Sequence, residues 1–292
     1  MNIKYSIVIP YYDDIEYIHQ CLMSLVKQTY NNFQVVLVDD FSTDSIQLEE
    51  MLTKEFYDLL DIKYIRNDEN LNGAHSRNIG VNNSCGDYIC FLDADDYWLD
   101  TKLEDVTEYI ISNKLSSRDV IYSMVNLIQS SDIIGVRPKL AMNRELHMSE
   151  YLFLAGGFIQ TSTLVVPMAL SKIVKFDERF KRHQDYQYCL SLAEFAEFHL
   201  IPKPLVNYRV PNGLYGKRAD DVDFCEYWLK EVRCLMSTDG YYGYRLFAFN
   251  ARLFYGRQYV KMLSNTAGCL FNLSIKGYKT SFGKLKSVFA SF

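Results

Sequence analysis

The sequence predicts an α/β fold, a mostly parallel central sheet flanked by helices, with a helical extension at the C-terminal end. Three observations lead there. Short apolar runs alternate with helix-patterned stretches through the first hundred residues, the pattern of strand–helix–strand units. Apolar runs at 33–38 and 88–92 each end in carboxylates, which places acidic groups at the carboxyl ends of strands, where open α/β sheets bind ligands. The charge also inverts late in the chain: residues 1–212 hold 19 Lys/Arg against 30 Asp/Glu, residues 213–292 hold 12 against 6, and beyond Asp239 eight basic residues face no acidic one. A uniform domain seldom divides this way, so a boundary is expected near 211–213, with a main domain over 1–212 and a basic, aromatic helical extension over 213–292.

In order, 5–10 (YSIVIP) reads as a buried first strand. Asp13 or Asp14 caps a helix over 15–28, whose Ile18, Leu22, Leu25 and Val26 form an apolar stripe. A second strand at 33–38, a helix over 45–59 and a third strand at 62–66 follow. Residues 67–73 form a polar loop and 74–83 a helix. The run 88–92 is apolar enough for a strand buried on both faces. Beyond it come a helix to residue 112, a strand at 120–128, a glycine turn and strand within 154–166, and a helix from Asp185 to Phe195. The tail has helix-compatible spacing over 220–236, 241–263 and 270–286.

Half of the 292 residues are apolar, ample for a core. The chain opens almost directly on an apolar strand, which reads as no secretory leader, and no apolar run reaches the ~18 residues of a membrane span. Seven scattered cysteines without a CxxC pair point to reduced thiols and a cytoplasmic setting rather than to disulfides or zinc.

The organising stretch is 86–98, GDYICFLDADDYW. Asp93, Asp95 and Asp96 arrive directly after the central strand. In an extended segment Asp93 and Asp95 project to one side, suited to a hard cation shared with phosphates. The competing reading is an acidic turn with Asp96 and Asp100 capping the next helix. After the first strand, Pro10-Tyr11-Tyr12-Asp13-Asp14 stands where a dinucleotide fold needs glycines, and no P-loop lysine is present, so hydride transfer and P-loop chemistry are disfavoured. An aromatic at one strand end and carboxylates at Asp39/Asp40 and Asp93/Asp95 fit a nucleoside diphosphate and its metal.

Four segments in this order, VIPYYDD, VVLVDDFSTD, NLNGAHSRNIGV and GDYICFLDADDYW, resemble family-2 glycosyltransferases with the GT-A fold, of the type that builds bacterial surface polysaccharides. The resemblance covers about residues 3–210 and implies a nucleotide-sugar-binding half at 1–100 and an acceptor half at 101–212. It implies that Pro10 and Tyr12 border the base, that Asp40, with Asp39, meets uracil or ribose, and that Arg77 approaches the nucleotide or its diphosphate. Asp95 becomes the direct ligand of Mn²⁺ or Mg²⁺, with Asp93 in support. Asp185 falls where the family carries its catalytic base. Here His183-Gln184-Asp185 replaces the usual Glu-Asp, and Asp185 also suits a helix N-cap. His183 is an alternative base, and His183 and Gln184 are candidates for contact with the acceptor.

The implied reaction is a single inverting displacement, moving a hexose from a UDP-sugar to a hydroxyl of a glycan or polyprenyl-diphosphate-linked acceptor. The basic, aromatic tail suits an anionic membrane surface on the inner face of the cell, against the alternatives of packing on the catalytic domain or a homodimer. Nucleic acid is disfavoured by the acidic first 212 residues. A sugar-1-phosphate nucleotidyltransferase would need a glycine-rich basic loop that this chain lacks. A non-catalytic module that binds nucleotide sugar or scaffolds a membrane assembly is the remaining alternative.

Overall fold

The computed structural model describes residues 2–210 and 222–281. Its strands are Tyr5–Tyr11 (β1), Phe33–Asp39 (β2), Ile62–Arg66 (β3), Tyr88–Phe91 (β4), Tyr97–Trp98 (β5), Asp119–Gln129 (β6), Asp132–Arg137 (β7), Val165–Pro167 (β8) and Glu197–Arg209 (β9). Its α-helices are Ile15–Val26 (α1), Ser45–Met51 (α2), Gly73–Asn82 (α3), Lys102–Ser112 (α4), Met148–Phe153 (α5), Met168–Ile173 (α6), Gln184–Ala193 (α7), Val222–Glu231 (α8), Thr238–Tyr244 (α9), Asn250–Tyr255 (α10) and Tyr259–Asn272 (α11).

Two compact units divide these elements. The first comprises Met1–Arg137, Ile159–Tyr188 and Phe195–Arg209. One sheet runs through it in the order β3-β2-β1-β4-β8-β6-β9-β5, with β7 paired to β6. The four strands β3, β2, β1 and β4 are parallel. β8 is antiparallel to both its neighbours, β6 and β9 run parallel, and β5 closes the order antiparallel to β9. β1 and β2 are buried along almost their whole length, as their largely apolar sequences require, and the polar exceptions Ser6 and Gln34 bond each other at 3.0 Å. Pro10 sits inside β1 without cost because β4 stops short: its last pair with β1 is Val8 with Phe91, so the missing N–H faces no ladder partner. Helix α3 approaches β1 so closely that a Cβ on Gly80 would stand 2.2 Å from Val8 Cγ1.

Most first-unit elements fall where the hydrophobic pattern places them. The helix predicted over 45–59 instead passes into a wider turn at Leu52–Phe56, which keeps Leu52 and Phe56 fully buried. β9 bulges against β6: Ser123 pairs with Ile201 but Met124 with Pro204, so Pro202 and Lys203 loop out of the ladder.

The second unit comprises Pro138–Phe158, Cys189–Glu194 and Val210–Phe292. Its described core is aromatic, with the rings of Phe153, Trp228 and Tyr244 meeting at 5.0–6.3 Å. The predicted helix over 241–263 is broken twice. A widened turn occupies Arg245–Phe249, and the chain reverses at Gly256, with Arg257 at φ 57°, before α11 begins. Another break follows α11, where Asp239 accepts a hydrogen bond from the Ser274 N–H at 2.8 Å. Residues 220–221 and 282–286 of the predicted tail helices lie outside the described residues. No disulfide is present among the described residues.

Candidate active site

The carboxyl ends of β1, β2 and β4 meet the start of α3 around a cavity of about 200 Å³. Pro10, Tyr12, Asp40, Arg77, Asp93 and Asp95 line it, together with Tyr11, Asp14, Gly73 and Ala94. The parallel arrangement brings these residues together because every one of the three strands delivers its C-terminal residues to the same edge. Tyr12, in the cavity wall, is exposed.

At the end of β2 both carboxylates are buried and engaged. Asp39 accepts from the Ser42 N–H at 2.8 Å and the Tyr64 hydroxyl at 2.9 Å, and pairs with Arg66 at 3.3 Å. It is outside the cavity lining. Asp40 accepts from Asn67 Nδ2 (2.8 Å), the Leu71 N–H (3.1 Å) and the Asn72 N–H (2.8 Å), so it fastens the 67–72 loop while presenting an edge to the cavity.

At the end of β4 the pattern differs. Asp93 pairs with Arg77 at 2.5 Å, accepts from Gln160 Nε2 at 3.2 Å, and its N–H donates to Ser162 Oγ at 3.0 Å. Asp95 is half-buried and receives no hydrogen bond or ion pair from another residue among the described residues. Burial, with Asp93 and Asp14 close by, pushes its carboxyl up to about 7. Asp96 is fully buried and points elsewhere, accepting from Ser162 Oγ (2.6 Å) and the Arg209 N–H (3.0 Å). Burial and its acidic neighbours raise it well above the usual carboxylate range. Asp96 therefore does not cap α4; Thr101 holds that position without a side-chain cap.

Arg77 bridges Asp93 and Gln184. Its guanidinium donates to Asp93 and, at 2.9 Å, to Gln184 Oε1, and it lies 5.4 Å from the Phe176 ring. Its Nε is buried with no partner. Gly73 leaves room for it, since a Cβ there would sit 3.0 Å from Arg77 Nη1. The Gln184 amide nitrogen donates to the Phe180 carbonyl (2.7 Å) and to Asn72 Oδ1 (3.1 Å). Asn72 holds φ 84° and caps α3 through the Ala74 N–H. Glutamine is the residue this position needs, because a carboxylate would satisfy Arg77 but face two acceptors with no proton to give.

Asp185 stands in the first turn of α7, where its carboxylate accepts from the Tyr186 N–H. Burial raises it to about 6, partly offset by that N–H and by Arg77. His183 precedes the helix at φ 58°, its ring 5.3 Å from that of Tyr186, and is outside the cavity lining.

Sequence reasoning misses Asp14, Gln160, Ser162 and Arg209. Asp14 reads as a helix cap, yet its side chain makes no cap and lines the cavity, its carboxyl raised by burial, Asp44, Asp13 and Asp93. A paired carboxylate after β1, matching those after β2 and β4, is the signal that could have found it. Gln160 caps the Thr161–Thr163 turn and Ser162 lies in it, and both bond the acidic segment; the Trp98 indole N–H donates to the Ser162 carbonyl at 3.0 Å. The Arg209 guanidinium sits over Tyr17 and Tyr97, 4.8 and 5.2 Å from their rings.

A hard cation fits the pocket on its donor set: the half-buried Asp95 carboxylate stands beside Asp93 and Asp14, and the charge of Arg209 offsets them only in part. A second cluster, Asp119, Glu197 and His199, brings ligand atoms within 4.8 Å of one another. It lies at the starts of β6 and β9, the opposite ends of the strands from the cavity, and His199 already bonds Asp119 at 2.6 Å.

The protein matches the model of glycosyl transferase family 2 over residues 6–174. It is 36% identical over 255 residues to the amylovoran biosynthesis glycosyltransferase AmsB of Erwinia amylovora, covering 86% of this chain and 85% of that one. An uncharacterized glycosyltransferase of Methanocaldococcus jannaschii is 30% identical over 209 residues, 71% of each chain. Among solved structures, S. aureus TarS 1–349 in complex with UDP-GlcNAc superposes with a TM-score of 0.62 at 20% identity, covering 96% of this chain and 78% of that one. The mannosyltransferase PcManGT from Pyrobaculum calidifontis, in complex with GDP-Man and Mn²⁺, gives 0.63 at 15% identity, covering 99% and 80%. The chain therefore belongs to glycosyl transferase family 2, and its fold is that of the GT-A glycosyltransferases.

Proposed function

We propose that the protein transfers a hexose from a nucleotide sugar, a UDP-sugar in the first instance, to a hydroxyl of a glycan or lipid-linked glycan, with inversion at the anomeric carbon. The observation that carries this is Asp95, an uncompensated carboxylate in the cavity wall beside the Asp93–Arg77 pair. Relatives support the setting: AmsB is named for amylovoran biosynthesis, and structural neighbours hold UDP-GlcNAc or GDP-Man. Surface polysaccharide assembly, on the cytoplasmic side of the membrane, is the context proposed here.

In this reading Tyr12 and Pro10 border the base and Asp40 meets base or ribose. Mn²⁺ or Mg²⁺ on Asp95, with Asp93 in support, would supply Lewis-acid stabilisation of the departing diphosphate. Arg77 lends its charge to the same diphosphate and holds Asp93 in register. Asp185 takes the proton of the attacking hydroxyl; a carboxyl at about 6 is ionised at neutral pH yet basic enough to accept a proton. A single displacement requires no covalent nucleophile.

Calorimetric titration with UDP, GDP and ADP, with and without Mn²⁺, tests the donor side on wild type and Asp95→Ala. UDP binding that requires Mn²⁺ and collapses in the variant is expected. Preference for GDP would overturn the donor class alone, and metal-independent silence toward all three, in folded protein, would move the reading to a non-catalytic module.

A further inference from the structure

Helix α11 turns a broad apolar face outward. Its inward side is mixed: Cys269 is buried there, beside Asn265, which donates to Asn250 Oδ1 (2.7 Å) and the Arg245 carbonyl (3.0 Å) and accepts from Arg245 Nε (2.7 Å), while Thr266 Oγ1 accepts from Asn250 at 2.8 Å. Its outward side is apolar. Val260, Leu263 and Phe271 are 83%, 65% and 90% exposed, with Tyr259 and Leu270 on the same sector and Ile275 exposed just beyond. At about 100° per residue these positions occupy one contiguous third of the helix. A helix packed on a globular core buries such a face.

The surrounding charge says what that face meets. Arg257 and Lys279 are exposed nearby in sequence, Lys276 pairs with Glu150 at 3.4 Å, and no acidic residue follows Asp239. Between α9 and α11 lies a recess of about 370 Å³, lined by Tyr241, Arg245, Lys261, Asn265 and Asn272 among others. The Arg245 guanidinium there bonds only neutral groups, Asn265 and the Tyr241 hydroxyl, and pairs with no carboxylate among the described residues. Lys261, on its rim, pairs with Glu226 at 3.1 Å.

Resting on the membrane-side reading above, we propose that this unit seats itself on an anionic phospholipid surface, the outward face of α11 lying in the interface and the Arg245–Lys261 recess receiving a lipid phosphate. Apolar side chains flanked by cations are the composition an anionic interface selects. α11 lies on the surface rather than crossing it: no helix among the described residues is long and apolar enough to span a membrane.

Flotation of the full chain with vesicles of phosphatidylcholine, alone or mixed with phosphatidylglycerol, tests this. Wild type floats with the mixed vesicles only, less so in high salt. The triple substitution Val260→Ser, Leu263→Ser, Phe271→Ser weakens flotation at least about tenfold, since three exposed side chains lose their apolar burial. Lys261→Gln, on the recess rim, lowers the phosphatidylglycerol preference by about fivefold. Equal flotation with both lipids, or an unaffected triple variant, overturns the proposal, as does a wild-type dimer that the triple variant splits in light scattering. Metal-dependent nucleotide binding, measured on the same samples, separates the outcomes: flotation lost with UDP binding kept sinks the docking surface alone, while no binding of UDP, GDP or ADP with Mn²⁺ by floating wild type sinks the catalytic reading.

Discussion

The carboxyl ends of β2 and β4 present the same chemistry in opposite states. At β2, Asp39 and Asp40 are buried with every oxygen receiving a donor, three donors for each residue. At β4, Asp93 leans on Arg77 and Gln160, and Asp95 is left without any partner among the described residues. A carboxylate that is fully hydrogen-bonded belongs to the architecture, whereas one left half-buried without a donor waits for a ligand. Sequence position after a strand does not distinguish the two. The donors do.

Substitutions can break this contrast. The largest effect is expected at the β4 end and on activity: Asp95→Ala lowers transfer by about 10²–10³-fold and removes Mn²⁺-dependent UDP binding, with the melting temperature unchanged or raised. A destabilised Asp95→Ala would erase the distinction. Comparable in size is Asp185→Asn, for which kcat falls by about 10²–10³-fold with UDP affinity retained. Because Asp185 is raised to about 6, wild-type kcat rises with pH through that region as the base ionises, and the variant has no such limb. A flat wild-type profile would remove Asp185 as the base.

The β2 end should respond the other way round. Asp40→Ala strands Asn67 and two backbone N–H groups, costing about 2–4 kcal/mol of stability by denaturant titration, with loss of activity following from loss of the 67–72 loop. A stable Asp40→Ala that simply loses UDP affinity would make Asp40 a ligand contact first and an anchor second. The smallest effect is Gly73→Ala, whose Cβ must displace the Arg77 tip; UDP affinity falls about threefold to tenfold with little change in stability.

The legible part of the molecule is the part with short-range signals. β1, β2 and β4 announce themselves because both their faces are buried, leaving few polar residues in their runs. β9, thirteen residues long, does not, because Pro202 and Pro204 interrupt its apolar run, and only the bulge against β6 reconciles them with a ladder. In the site, the acidic pairs at strand ends are readable as pairs. Gln160 and Ser162 are not, since they meet Asp93 and Asp96 across more than sixty residues of chain. The tail's helices are readable as helices, but a pattern of alternating apolar and polar residues does not say which side faces outward, and in α11 Val260, Leu263 and Phe271 face out while Asn265 is bonded inward.

The glutamine at 184 also constrains how this chain can change over generations. Its amide serves Arg77 with oxygen and both Asn72 and the Phe180 carbonyl with nitrogen. A descendant that acquires glutamate there must also recruit a donor at position 72 or re-aim the turn before α7. Neighbouring sequences should therefore trade positions 72 and 184 together, and a lineage that varies one freely while holding the other fixed would show that this link carries no selective weight.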